Sequence, residues 1–152
     1  MLRLSKRADY ALMAMKHLAT TESGRASSTR EISQAYDIPA ELLAKVLQRL
    51  ARAGLLTSQQ GIHGGYHLSR QAVLISLAEV IEAIDGPLRM TACSDVEDSC
   101  DQFSRCNVRD PLRRIKDRIV TALTESSVAD LRDEPAPAVM PVVFQTHDST
   151  YR

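Results

Sequence analysis

The stretch that decides the fold is AELLAKVLQRLARAGLLTSQQGIHGGYHLS, residues 40–69. Apolar residues recur in its first half at three- and four-residue steps, which is the period of one face of an α-helix. Gly54 stands where such a helix usually ends, so a helix is predicted over about residues 40–53. The second half indicates two short strands, 55–59 and 66–69, joined by a glycine-rich turn. The sequence therefore predicts a helix that is followed directly by a β-hairpin.

A shorter helix is predicted immediately before this one. Ser28 and Glu31 have the spacing of a capping box, with the Glu31 side chain reaching back, and they open a helix over about residues 29–36. Asp37 and Ile38 make a turn, and Pro39 favours the first turn of the next helix. Two helices joined by a tight turn, with a hairpin after the second, are typical of a winged helix-turn-helix. In that fold the second helix enters the major groove of DNA.

The face of the 40–53 helix opposite its apolar stripe is polar and mostly basic. A surface helix with solvated cations has the same pattern when it is considered alone. The hairpin directly after the helix favours the DNA-binding interpretation, because a hairpin in that place is the wing of a winged helix-turn-helix. The polar face consists of Glu41, Lys45, Gln48, Arg49 and Arg52.

Further helices are predicted on both sides of this unit. One runs from a Ser5 cap to about Thr20, with apolar residues at helical spacing. Another opens at a capping box of Ser76 and Glu79 and is stopped by Asp85-Gly-Pro87.

A longer helix is predicted near the end of the chain. Asp110 is expected to cap it and Pro111 to occupy its first position, and it extends to about residue 125, with one more helical turn at 127–130. Its apolar face has no later partner in the chain, so it either folds back on the first domain or pairs with a second copy. Pairing is favoured, because two-fold helix-turn-helix dimers match palindromic DNA sites. The predicted dimer contacts are Leu112, Ile115, Ile119 and Leu123.

All three cysteines lie in one acidic stretch, CSDVEDSCDQFSRC, at positions 93, 100 and 106. A thiol that is buried for packing normally lies in an apolar run, whereas this stretch has neither helical nor strand period. Thiolates that converge from a loop are suited to an iron–sulfur cluster or a zinc ion. A switch based on disulfide exchange uses the same residues, and three unrelated surface thiols are the remaining alternative.

The composition of the 152-residue chain is that of one globular domain, with 44% hydrophobic and 25% charged residues. Residues 1–70 contain 10 Lys and Arg against 5 Asp and Glu, and residues 71–152 contain 9 against 14, which suggests that the front half meets a polyanion. No apolar run is long enough to cross a membrane and no signal peptide is evident, so a cytoplasmic protein is expected. Nucleotide-binding and hydrolase motifs are missing and the four histidines are scattered, so we expect no enzyme.

Four features of the sequence together resemble IscR, NsrR and RirA, the iron–sulfur-sensing winged-helix repressors of bacteria. They are MLRLSK with Asp9-Tyr-Ala11, the LARAGLL of residues 50–56, the wing pattern Gly61-x-x-Gly-Gly-Tyr66, and three cysteines just after Asp85-Gly-Pro87. The resemblance covers about residues 1–132. It implies a homodimer that binds palindromic double-stranded operator DNA, and a 2Fe–2S or 4Fe–4S cluster on Cys93, Cys100 and Cys106 whose state changes DNA affinity. The opening residues also resemble regulators of cluster-assembly genes.

The resemblance leaves the fourth cluster ligand to be decided. IscR uses a histidine at the position that is Arg109 here, and a guanidinium cannot ligate iron. NsrR-like proteins use an acid near the start of the first helix of the other subunit, and Asp9 occupies that position. Asp9 of the partner subunit is therefore the predicted ligand, although an acid in a first helical turn is also favoured by the helix dipole alone.

The predicted DNA contacts depart from the family pattern at two points. Gln60 stands where an arginine often enters the minor groove, and Ala44 stands where IscR has an acidic base-reading residue, so a different operator is expected. Lys45, Arg49 and His63 are expected to provide much of the contact, with phosphate bound at the helix N-terminus and the glycine turn. The predicted contact residues are Ser28, Thr29, Glu41, Lys45, Gln48, Arg49, Gln60, His63, Gly64 and Gly65.

The predicted architecture is mainly α with a small β-wing. Residues 1–86 are expected to form the winged helix-turn-helix domain, 87–109 the cluster-binding cysteine loop, 110–132 the dimerisation helix and last turn, and 133–152 a flexible tail. The predicted function is that of an iron–sulfur-containing repressor that senses cluster status or oxidative and nitrosative stress. A cluster-free thiol switch, a zinc-stabilised regulator and an electron carrier are the alternatives.

Overall fold

The structure is a computed structural model that describes residues 3–21, 25–89 and 101–132. Two of the predicted cluster ligands, Cys93 and Cys100, lie outside these residues, as does the predicted tail. The predicted division into domains stays a prediction. The predicted fold class is confirmed: the protein is mainly helical with one antiparallel hairpin. The elements are α1 (Lys6–Thr20), α2 (Thr29–Tyr36), α3 (Ala40–Arg52), β1 (Leu56–Gln59), β2 (Gly65–Leu68), α4 (Leu77–Asp85) and α5 (Arg109–Glu125), with short 3-10 turns at Ala72–Leu74, Phe103–Arg105 and Val128–Leu131.

Serine caps begin the first, second and fourth helices. The Ser5 hydroxyl oxygen accepts the Ala8 backbone N–H at 3.1 Å, and Ser28 accepts that of Glu31 at 3.1 Å. Ser76 and Glu79 form the complete reciprocal box, in which the Glu79 carboxylate accepts the Ser76 N–H. This hydrogen bond holds the pKa of Glu79 below its ordinary value.

The predicted box at α2 is formed on one side only. The Ser28 cap is present, but the Glu31 carboxylate accepts a hydrogen bond from the Arg25 guanidinium at 2.8 Å. A charged donor forms a stronger hydrogen bond with a carboxylate than a backbone amide does, and Arg25 lies within reach. The expectation that Glu31 reaches back to the cap is therefore corrected.

The core lies where α1 packs against α3 and α4. Three alanines of α1, Ala8, Ala11 and Ala14, are fully buried, and their small side chains allow the neighbouring helices to approach closely. One face of α3 is equally buried. The largest fully buried side chains are Met15, Ile32, Leu43, Leu47, Leu50, Ile75, Val46, Val80 and Val128.

The fifth helix begins earlier than its sequence suggests. It starts at Arg109 after Val108, without a side-chain cap, so the predicted N-cap role of Asp110 and first-position role of Pro111 are corrected. The Asp110 carboxylate accepts from Arg109 Nε at 3.2 Å instead of capping a backbone amide, and this bond lowers the pKa of Asp110. Pro111 is tolerated within the first turn because the amides there have no acceptor inside the helix. The predicted last helical turn is confirmed at Val128–Leu131.

The hairpin is fixed to the start of α2 by backbone hydrogen bonds. Strands β1 and β2 pair antiparallel from Leu56–Leu68 to Gln59–Gly65. Ser27 N–H donates to the Tyr66 carbonyl at 3.0 Å, and Tyr66 N–H donates to the Ser27 carbonyl at 2.9 Å. The wing therefore stays beside the N-terminus of α2. Among the residues that the structure describes, no helix is both long and apolar enough to cross a membrane.

Gly65 is the residue that permits this close approach. A Cβ at Gly65 would lie 2.3 Å from the Ser27 carbonyl oxygen, and the backbone has φ +155°. We expect Gly65→Ala to lower the free energy of unfolding by about 2–4 kcal/mol, since backbone strain and a steric clash add. Chemical denaturation followed by circular dichroism measures the change.

Gly61→Ala is the matched control, because Gly61 has φ +113° but no atom within 4 Å of an added Cβ. It should cost about 1 kcal/mol, the strain alone. Equal losses in the two variants would contradict the role assigned to the Gly65–Ser27 contact.

Candidate nucleic-acid interface

The polar face of α3 is open to solvent. Glu41, Lys45, Gln48 and Arg49 are exposed, whereas the opposite face is buried at Leu43, Val46, Leu47 and Leu50. Because the buried face fixes the rotation of the helix about its axis, the exposed residues are presented together. This arrangement suits a helix that enters the major groove.

The start of α2 and the wing meet at one groove. The groove brings the predicted residues Ser28, His63 and Gly64 together. Ile62 at the tip of the wing is 98% exposed, so this hairpin projects away from the core. Helix N-termini and glycine-rich turns both present backbone N–H groups, which bind phosphate oxygens. The groove is lined by Arg25, Ala26, Ser28, Glu31, Gln59, Ile62, His63 and Gly64.

Arg25 is a residue of this groove that the sequence did not single out. Its guanidinium is paired with Glu31 at 2.8 Å. The available signal was a cation three residues before a helix cap, which is too common to be informative. Thr29, Gln60 and Gly65 complete the predicted set, and their sequence positions are at the start of α2 and in the hairpin.

Arg49 differs from the other polar residues of α3. Its Nη1 donates to the Ile84 backbone carbonyl at 2.9 Å, close to the end of α4. At least one of its donors is therefore directed into the protein and not toward a ligand. Its predicted contact with DNA stays a prediction.

The described part of the predicted cluster site consists of Cys106 and Asp9. Cys106 is a free, half-buried thiol three residues before α5. Asp9 lies in the first turn of α1 with its side chain 46% exposed, and its carboxylate is 3.8 Å from Lys6 Nζ. In the ranges 3–21, 25–89 and 101–132, no three possible ligands are close enough to hold a metal ion.

These two groups are chemically suited to the predicted ligand set. A free thiol and an exposed carboxylate are both groups that bind iron, and the ion-pair contact of Asp9 with the exposed Lys6 is a long one. Cys93 and Cys100, which would supply the other thiolates, lie outside the described residues.

Comparison with known proteins identifies similar regulators. Residues 4–134 match the family model described as Rrf2, iron-dependent transcriptional regulator. A Mycobacterium tuberculosis protein named as an HTH-type transcriptional regulator is 32% identical over 136 residues, which cover 90% of this chain and 84% of that protein.

Solved structures of two regulators are similar in fold. CymR of B. subtilis, described as the global cysteine regulator, gives a TM-score of 0.71 at 26% identity and covers 86% of this chain and 96% of its own. T. potens IscR gives a TM-score of 0.67 at 23% identity, with 85% of each chain covered.

Lys45 should contribute directly to DNA affinity through a phosphate. We expect Lys45→Gln to weaken binding to a random duplex of about 30 base pairs, which spans two half-sites. It should also reduce the slope of log affinity against log salt concentration by about 0.9, because one counterion fewer is released. Fluorescence anisotropy over a salt series measures both quantities.

Arg52→Gln provides the control for lost charge, since Arg52 belongs to the same polar face but is the last residue of α3, about two turns beyond Lys45, and is not among the predicted contacts. Its slope should equal that of the unmodified protein. The assignment of Lys45 is wrong if Lys45→Gln and Arg52→Gln give the same slope.

Proposed function

The chain belongs to the Rrf2 family of iron-dependent transcriptional regulators, and we propose that it is a homodimeric repressor controlled by an iron–sulfur cluster. The observation that supports this proposal most strongly is the placement of all three cysteines in one acidic stretch between α4 and α5. As a member of this family the protein is a DNA-binding winged-helix regulator. The cluster, the dimer and the target genes are the proposed part.

DNA would be bound by the two surfaces that the fold keeps together. The polar face of α3 enters the major groove, with Lys45 and Gln48 exposed for contact and Glu41 near the helix N-terminus. The start of α2 and the wing hold the phosphate backbone on either side. Because these two elements are joined by the hydrogen bonds between Ser27 and Tyr66, they would meet the duplex as one rigid surface.

The apolar stripe of α5 supports the proposed homodimer. No residue of this 17-residue helix is buried within a single chain, and Ile115 is 46% exposed. Leu112, Ile119 and Leu123 are only half-buried although α5 packs against α4, so apolar area stays in contact with water, and a second copy of the same helix would cover it. Two-fold pairing would also place two α3 helices for successive major grooves, about 34 Å apart. The stripe consists of Leu112, Ile115, Ile119 and Leu123.

The proposed cluster ligands are the three cysteine thiolates and Asp9 of the other subunit. When bound, a 2Fe–2S or 4Fe–4S cluster supplies a centre that reacts with oxygen, nitric oxide or thiols. Three thiolates hold a cluster firmly, whereas a single carboxylate is a weaker and exchangeable ligand. Asp9 lies at the start of α1 and the cysteines precede α5 in the sequence, so a ligand set completed by Asp9 of the partner subunit would join the two subunits. Iron–sulfur cluster assembly genes are the proposed targets.

A thiol switch is the second candidate function. The similarity at 26% identity to a global cysteine regulator and the free, half-buried Cys106 support it equally well. Such a switch needs no metal, and oxidation of two of the three thiols to a disulfide would alter DNA binding.

The cysteine variants decide between these functions. We expect the protein to be brown after anaerobic purification, and Cys93→Ala, Cys100→Ala and Cys106→Ala each to lose most of the iron and the visible absorption. Ser99→Ala and Ser104→Ala, in the same stretch, should keep both. Elemental analysis, absorption spectroscopy and operator binding are measured on each variant.

The results for the unmodified protein exclude the cluster proposal in two cases. Colourless protein that contains zinc indicates a structural zinc site. Colourless, metal-free protein whose DNA binding responds to an oxidant only when the cysteines are present indicates the thiol switch.

The proposed dimer is tested with two variants, each of which carries one added aspartate on one of two opposite faces of α5. Ile115→Asp should shift the protein from dimer to monomer in analytical ultracentrifugation, because a charge in an apolar interface cannot be solvated. Thr121→Asp is the control, since Thr121 is exposed and lies about half a turn of helix from the stripe. A dimer that survives Ile115→Asp while Thr121→Asp also leaves it intact would argue against pairing through this face.

A further inference from the structure

The C-terminal end of α4 is bound to two other helices at adjacent residues. The Asp85 carboxylate accepts the backbone N–H of Ser5 at 3.0 Å and also the Ser5 hydroxyl. The Ile84 carbonyl accepts Nη1 of Arg49 at 2.9 Å. Ser5 is the N-cap of α1 and Arg49 lies in the last turn of α3, so these four residues, the α4-end cluster, join three helices.

Each contact satisfies a group that a helix end leaves without a partner. The last carbonyls of a helix have no donor within it, and a cation at that end is favoured by the helix dipole. Arg49 meets both conditions at Ile84. A carboxylate is favoured at a helix N-terminus for the opposite reason, and Asp85 occupies that place beside Ser5.

The α4-end cluster connects the proposed DNA-binding helix to the end of α4, from which the chain continues to the cysteine stretch. On one side is α3, whose polar face is proposed to enter DNA. On the other side the chain leaves α4 through Gly86 and Pro87, and the first cysteine follows at position 93. Ser5 is also one turn from Asp9, since the Asp9 backbone N–H donates to the Ser5 carbonyl at 3.1 Å. The α4-end cluster is therefore close in sequence to the cysteine stretch and one helical turn from Asp9.

We propose that the α4-end cluster couples the cysteine stretch to α3, and that Arg49 is a positioning residue and not a phosphate contact. Arg49 holds α3 against the end of α4, and Asp85 holds the same end against α1. The coupling role rests on the proposed iron–sulfur function, whereas the role of Arg49 requires only that the protein binds DNA.

The salt dependence of binding decides the role of Arg49. The probe is a palindromic operator selected from random duplexes by the unmodified protein. Arg49→Gln should weaken binding about tenfold with an unchanged salt slope, because no phosphate contact is lost. A slope that falls by about 0.9, as expected for Lys45→Gln, would overturn the assignment of Arg49 as a positioning residue.

The role of Asp85 is tested by comparing two forms of each protein. Operator affinity is measured after anaerobic reconstitution with iron and sulfide and again after removal of iron by a chelator, and the ratio of the two affinities is calculated. Asp85→Ala should make the fold-change in operator affinity between the two forms at least threefold smaller than that of the unmodified protein. Glu82→Ala, an exposed acid three residues earlier on α4, should keep the ratio of the unmodified protein.

Two safeguards separate the possible failures. Circular dichroism establishes that each variant is folded, and Asp85→Asn, which keeps one carbonyl acceptor for Ser5, replaces Asp85→Ala if that variant unfolds. If the unmodified protein changes affinity on reconstitution and the Asp85 variant keeps the full ratio, the coupling is overturned and the proposed function stands. If the unmodified protein shows no change, the proposed function and the coupling both fail, and the salt slope still decides the role of Arg49.

Discussion

The burial of one face of α3 is the constraint on which the rest of the structure depends. Leu43, Leu47 and Leu50 have no solvent exposure, and removing a buried leucine side chain typically costs about 2–5 kcal/mol. Since small domains are stable by only about 5–15 kcal/mol, α3 cannot rotate about its axis without unfolding the domain. The same helix that forms the centre of the core therefore presents Lys45 and Gln48 in a fixed direction. Its position relative to a duplex can change only if the whole domain moves, and this makes its attachments to other helices important.

Much of this arrangement could be predicted from local sequence signals. The period of apolar residues gave the buried face of α3, Gly54 gave its end, and the serine caps gave the starts of α1, α2 and α4, because each depends on residues within a few positions of one another. The predictions were wrong where an acidic side chain could accept a hydrogen bond from an arginine instead of from a backbone amide. Glu31 and Asp110 both have the sequence position of a capping acid, yet each binds a nearby arginine.

The contacts most informative about the candidate site could not be predicted in this way. Arg49 and Ile84 are 35 residues apart, and Ser5 and Asp85 are 80 residues apart. Their meeting depends on how α1, α3 and α4 pack, which the periodicity of each helix does not specify. From its sequence alone Asp85 indicates only the end of a helix, and Arg49 cannot be distinguished from Lys45. By contrast, the cysteine ligands of the proposed iron–sulfur cluster were predicted from local sequence, since three cysteines in one polar stretch suggest a metal site without knowledge of the fold.

Under the proposed function, the position of the cysteines in the sequence would allow a small chemical change to alter DNA binding. In the sequence they lie between α4, whose end is attached to α3 through Arg49, and α5, which is the proposed dimerisation helix. In the proposed dimer, the connection between the DNA-binding domain and α5 would set the angle between the two DNA-binding domains. Because two α3 helices must fit successive major grooves about 34 Å apart, a change of angle displaces both from their sites. The proposed sensor in this connection would need no path through the hydrophobic core, since α3 would keep its packing while the domain moved as a unit.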